Sequence, residues 1–169
     1  MKKIGIILMC LCLWTCDTED KKVKKIEEVP VSGLVFQDDI IKLKYVEYGL
    51  DAKAKTDILI WEKFVELEIV MSQLKTGDLS YFQDESKDIV LLMKDLINSI
   101  PDVVNTPSIQ ARLVSLETKM LKLQGTLILK NIPKEEHLEN VKEVLVAYSN
   151  LNLQINKKYE KDSQKIEKP

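Results

Sequence analysis

The chain has 169 residues, 25 basic against 27 acidic, a formal net charge of −2 and 45% hydrophobic side chains. That length suits one domain with a single core. The slightly acidic balance argues against nucleic acid as a main partner, and five glycines are too few for the turns of a mainly β fold.

Met1-Lys2-Lys3 supplies positive charge, Ile4 to Trp14 is apolar, and Cys16 is followed at once by Asp17-Thr18-Glu19-Asp20. A basic start, a short apolar run and a polar continuation are what an export signal requires. About 11 apolar residues make roughly 16 Å of helix, far short of the ~30 Å hydrocarbon core, so this stretch is too short for a permanent span. Leu13 lies three residues before Cys16 and the small Thr15 directly before it, although Trp14 is bulky. The site resembles the looser lipoprotein signal of Bacteroidota more than the strict enterobacterial form. That resemblance implies cleavage before Cys16 and lipidation of its thiol; the alternative is an ordinary cleaved secretory signal with an incidental cysteine. Cys10 and Cys12 would leave the apolar run too short.

All three cysteines lie in the first sixteen residues, so cleavage leaves one, which lipid would occupy, and no disulfide can form. Loss of residues 1–15 removes Lys2 and Lys3, leaving 23 basic against 27 acidic residues and a net charge of −4.

Residues 16–33 read as a lipidated tether. The run from Asp17 to Lys25 is almost wholly charged and Val29-Pro30-Val31-Ser32-Gly33 adds breakers, leaving too little apolar surface to offset ordering entropy. Asp17, Glu19 and Asp20 resemble the acidic tag that sends Bacteroidota lipoproteins to the outer leaflet of the outer membrane; a merely solvated tether is the other reading. Lys21, Lys22, Lys24 and Lys25 could meet anionic head groups, but their acidic neighbours largely cancel that attraction.

Residues 34–50 fit neither period cleanly. Ile41, Leu43 and Tyr45 alternate with lysines, while Ile41, Tyr45 and Tyr48 share a helical face. With no strand elsewhere to pair with, the segment is expected to be irregular or a short helix.

From 51 to 165 the pattern is helical. Asp51 opens a helix whose stripe runs Ile60, Phe64, Leu67, Met71, Leu74, widened by Trp61 and Val65, and Gly77 marks its stop. A second helix spans about Asp84 to Ser99 on Ile89, Leu92, Met93, Leu96 and Ile97, ended by Pro101. Thr106-Pro107 caps a third with the cleanest seam, Ile109, Leu113, Leu116, Met120, Leu123, Leu127. Gly125 weakens it by roughly 1 kcal/mol relative to alanine. Pro133 opens a fourth on Leu138, Val141, Leu145, Tyr148, Ile155 and Tyr159. Residues 166–169 form a disordered tail. These four stripes predict an all-α fold, a four-helix up-and-down bundle; the alternative puts the third helix's seam into a dimeric coiled coil.

Motifs for chemistry are sparse. His137, the only histidine, sits in Lys134-Glu135-Glu136-His137 and is expected in solvent; bundle metal sites need a glutamate three before a histidine on two helices, and position 134 is lysine. No metal, no cofactor and no catalytic residue is predicted. Without a remaining thiol or a G-x-S-x-G turn near a histidine, nucleophilic catalysis has no support. The carboxylate pairs Glu66 with Glu68 and Asp84 with Glu85 read as solvated helix surface. Tyr81 and Phe82, adjacent aromatics in a loop, are the candidate partner-binding residues, with a lid folded onto the bundle end as the alternative. Asn150, Asn152 and Asn156 form a polar strip that could fix register across the bundle, face solvent or meet a partner.

Residues 151–161, Leu-Asn-Leu-Gln-Ile-Asn-Lys-Lys-Tyr-Glu-Lys, together with the loose signal, look like small helical lipoproteins of Flavobacteria. The resemblance implies an envelope location, lipid-anchored and facing either the periplasm or the surface, and no activity. Two functional expectations follow: a non-enzymatic envelope lipoprotein that binds or scaffolds a protein partner, or a carrier or sensor holding a small apolar ligand or lipid between its helices.

Overall fold

The computed structural model describes residues 35–84, 88–129 and 131–164. All regular structure among them is helical: α1 (Gln37–Ile41), α2 (Ala52–Ile58), α3 (Glu62–Lys75), α4 (Ser80–Gln83), α5 (Ile89–Asn98), α6 (Pro107–Ile128) and α7 (Lys134–Ser163). The all-α class is therefore as the periodicity predicts. No helix among the described residues is long and apolar enough to cross a membrane. The signal, Cys16, the tether and the last five residues lie outside the described residues.

Four of the helices are mutual neighbours in a ring. α3 packs on α5 and α7, and α6 packs on α5 and α7, with the α6–α7 pairing the most extensive. The predicted α6 seam lies inside: Ile109, Leu113, Leu116, Met120 and Leu123 are buried in a core shared with Phe64, Leu67, Met93, Val144 and Leu151. Each fully buried aliphatic side chain contributes roughly 1.5–3 kcal/mol against exposure. That seam is consequently spent within one chain and cannot serve the dimeric coiled coil.

The caps follow from local chemistry. The Thr106 Oγ1 accepts from the Ile109 amide at 3.3 Å, with Pro107 in the first turn of α6. Asp88, not Asp84, caps α5, its Oδ1 accepting from the Leu91 amide at 2.9 Å; the expected start was too early, and residues 85–87 lie outside the described residues. Gly77 stops α3 at φ 83°, with the Gly77 and Asp78 amides donating back to the Leu74 and Gln73 carbonyls. A second demand also falls on that glycine. A Cβ there would lie 2.6 Å from the Gln37 nitrogen, so the chain entering α1 passes directly over it.

Two stripe assignments need correction. The helix expected from Asp51 to Gly77 is split into α2 and α3 at residues 59–61, where Trp61 leaves helical geometry at φ −89°, ψ 80°. Ile60, expected inside, is 73% exposed, whereas Trp61 is 1% exposed. The indole decides this, because its ring stacks near Phe64 at 5.1 Å and its Nε1 donates to the Leu96 carbonyl at 3.2 Å and to Ser99 Oγ at 3.1 Å. A continuous helix would leave that N–H turned away from α5. His137, expected in solvent, is 5% exposed. It stands four residues before Val141 and seven before Val144, which puts it on the buried face of α7, and its Nδ1 has no partner among the described residues.

Candidate functional site

The most distinctive construction is an extended strap, residues 43–50, held along α7. Successive side chains of such a segment point to opposite sides: Leu43 and Tyr45 pack against the core, while Lys44 and Val46 are exposed. The strap has no neighbouring strand. From Val46 to Gly49 one edge of its backbone is bonded by polar side chains from one face of α7.

Ser149, Asn152 and Asn156 stand at helical spacings of three and four and so project on one line. The Tyr48 amide donates to Ser149 Oγ at 2.8 Å, and that hydroxyl donates to the Val46 carbonyl at 2.9 Å. Asn152 Nδ2 donates to the Tyr48 carbonyl at 3.1 Å. Asn156 closes the ladder in both directions, its Nδ2 donating to the Gly49 carbonyl at 2.8 Å and its Oδ1 accepting from the Asp51 amide at 2.9 Å. A side-chain amide offers a donor and an acceptor as a peptide unit does, so this row of α7 substitutes for a neighbouring strand. Asn152 and Asn156, left open by sequence between register across the bundle, solvent and partner, bond the backbone of the strap instead of another helix. Asn150, the third member of the strip, makes none of these bonds.

Charge pins the strap at Glu47 and fastens the helices on either side of it to α7. Lys75 pairs with Glu47 and also lies 5.9 Å from the centre of the Tyr148 ring. Burial, reinforced by the Glu68 carboxylate that accepts its hydroxyl at 3.4 Å, pushes the Tyr148 phenol well above its ordinary value. Tyr159 is likewise raised by burial and by donating to Asp57 Oδ2 at 2.6 Å, which fastens α7 to α2. Lys134 bonds Asp39 at 2.7 Å and holds α1 at the start of α7. The Lys134 hydrogen bond, then the Phe36 amide, keeps the Asp39 carboxyl below the usual carboxylate range.

The outer edge of the strap is different. In an extended segment successive amides point to opposite edges, and on the edge away from α7 those of Tyr45 and Glu47 have no protein partner among the described residues; the Val46 side chain is among the most exposed apolar ones. An extended segment with one edge anchored and the other open is the geometry to which a second extended chain can add.

The residues singled out by sequence are placed elsewhere. Phe82 is 1% exposed and Tyr81 is half-buried; the two rings meet edge to face at 5.7 Å in α4, which packs on α6. They form a lid on the core in place of a pair of exposed anchors, because α4 turns Phe82 inward. Cys16 lies outside the described residues. Glu66 is held by Lys63 at 2.8 Å while Glu68 faces Tyr148, so these two carboxylates act apart. No group of three or more His, Cys, Asp or Glu side chains among the described residues is placed to hold a metal ion. A groove between the α2–α3 break and the end of α5, lined by Ile60, Trp61, Lys63, Asp95 and Asn98, opens broadly to solvent and is no chamber between helices.

The strap was the signal that sequence reasoning read incompletely. Alternation at 41–45 and the amide strip at 152 and 156 were each visible, but nothing local joins segments about a hundred positions apart. No protein-family model matches the chain, and neither a curated protein nor a solved structure matches it.

Proposed function

We propose that this chain is a membrane-anchored envelope lipoprotein whose helical body is a non-enzymatic module for binding or scaffolding another protein. The Leu13-Trp14-Thr15-Cys16 sequence and the abrupt change from apolar to acidic residues support the anchor. The partner reading rests on one observation, the strap: α7 holds one edge of an extended backbone and leaves the other edge, with the Tyr45 and Glu47 amides, open beside the exposed Val46 side chain. Main-chain hydrogen bonds along such an edge give affinity, and alternate side chains give selectivity. In the finer arrangement we favour, α3, α5, α6 and α7 run as an up-and-down four-helix bundle, a reading supported by their ring of adjacency. The bundle is the platform and the strap its presented edge.

A photo-crosslinking amino acid at position 46, expressed in intact cells, tests the partner reading. A discrete protein adduct should form at 46 and be absent for the same group at Leu59, which is equally exposed at the α2–α3 break. Adducts at 46 indistinguishable from those at 59 would remove the strap's claim. Metabolic labelling with a clickable palmitate tests the anchor separately: the wild type should be tagged and Cys16→Ser should not.

A further inference from the structure

α6 carries two seams, and among the described residues only one is packed against other elements. Opposite the buried row stands a second with the same spacing of three and four: Ala111, Val114, Thr118, Leu121, Gly125 and Ile128. All six are exposed, and Val114, Leu121 and Ile128 are 36% to 55% exposed. The row runs about 26 Å along the helix. Thr118 Oγ1 donates to the Val114 carbonyl at 2.9 Å, so its hydroxyl is satisfied within the helix and leaves a methyl outward.

At Gly125 this face is open to a close approach. The glycine is helical rather than left-handed, and a Cβ built on it would meet nothing within 4 Å. Among the described residues neither backbone conformation nor any packed element demands a glycine there, although it weakens the helix. A close approach from outside would demand it, because small residues let two helix backbones come together.

The order of residues names the occupant. Small side chains at 111, 118 and 125 alternate with branched aliphatics at 114, 121 and 128. Set against itself head to tail about a two-fold axis between 118 and 121, the row brings Leu121 of one copy onto Thr118 of the other, Val114 onto Gly125 and Ile128 onto Ala111. Every layer pairs a large side chain with a small one. A parallel pairing would stack Gly125 on Gly125 and Leu121 on Leu121, leaving some layers empty and others crowded. The flanks agree. In the head-to-tail arrangement each side of the row meets its own counterpart, so Glu117 lies beside Gln124 and Lys122 beside Ser115, with no like charges at one level. Lys122 is already neutralised by Glu143 of its own chain at 2.8 Å.

We infer that the chain forms an antiparallel two-fold dimer through the outer face of α6, an isologous contact between two copies of this chain. It is independent of the lipid anchor and of the strap.

Sedimentation equilibrium of the full chain in density-matched detergent, over a concentration series, should give a reversible monomer–dimer equilibrium. Leu121→Lys should weaken dimerisation at least about tenfold, read as a shift in the dissociation constant, with unchanged helical circular dichroism. Register is read with the double variant Val114→Cys and Gly125→Cys under oxidation, mapped by mass spectrometry. A 114–125 link has to be intermolecular, since the two positions are about 16 Å apart on one helix and a disulfide spans at most about 7 Å between Cα atoms. That link supports the inference. A monomer throughout, links of 114–114 or 125–125 alone, or a Leu121→Lys dimer as tight as wild type would each overturn it.

Discussion

α7 holds its neighbours by two different means on two adjacent faces. Val141, Val144, Tyr148, Leu151 and Ile155 are buried in the core. One residue further along, Ser149, Asn152 and Asn156 repeat the spacing of the last three and grip the strap through its backbone. Apolar contact is non-directional and grows with area, so the first face tolerates small displacements of α3 and α6. The polar face is directional. A shift of the strap by one residue would misplace every donor and acceptor in the ladder, so few bonds fix its register. The core supplies most of the stability, and the ladder supplies position.

The largest effect expected is on the apolar side. Phe64 is fully buried between Trp61 and Tyr148, and Phe64→Ala should destabilise the fold by about 3–5 kcal/mol, seen as a lower urea midpoint. Strap and helices should unfold together in that variant. A cost below about 1 kcal/mol would mean the core is not what carries the fold.

Asn152→Ala separates the two faces. It strips the Tyr48 carbonyl of its donor within a partly buried contact, at a cost of about 1 kcal/mol. Hydrogen exchange should speed up at the Tyr48 and Asp51 amides while the α6 amides stay protected. Equal acceleration in α6 would show that strap and bundle open as one unit and that the division drawn between the faces has no energetic meaning.

The smallest effect belongs to the surface link from α7 to α6. Glu143 accepts from Lys122 at 2.8 Å and Lys119 at 3.2 Å; the Lys122 bond foremost lowers its pKa against a partial burial that raises it. A depressed carboxylate contributes stability that is present above its unfolded pKa, near 4.3, and is lost as pH falls through the folded value. Urea midpoints at neutral and at acid pH should therefore converge slightly in Glu143→Gln relative to wild type, by less than about 1 kcal/mol because the pair is partly solvated. Identical acid loss in both would assign that sensitivity to other carboxylates such as Asp39.

The residues that sequence placed well are those whose roles are set by their immediate neighbours. Thr106-Pro107 must start a helix because a hydroxyl reaches an amide three positions on. Gly77 must stop one because its backbone is left-handed. Where two neighbours compete for the core, local pattern is a poor guide. Ile60 fits the stripe as well as Trp61, and only the Leu96 carbonyl and Ser99 hydroxyl on α5 select the indole. His137 fails for a similar reason: its polarity suggests solvent, yet its position in line with Val141 and Val144 carries it inside. Tyr81 and Phe82 look exposed in a loop until α4 turns Phe82 against α6.

By itself, then, the sequence determined the helical class, the main seams and several ends, because periodicity, caps and turns act over three or four residues. The tertiary structure alone decided that the amide strip of α7 captures residues 46–51, across separations of 101 to 107 positions, and that Trp61 rather than Ile60 enters the core. Either residue fits an apolar helix stripe. Burial is assigned only when α5 and α7 arrive, since a helix surface becomes a core or an open side according to what packs against it.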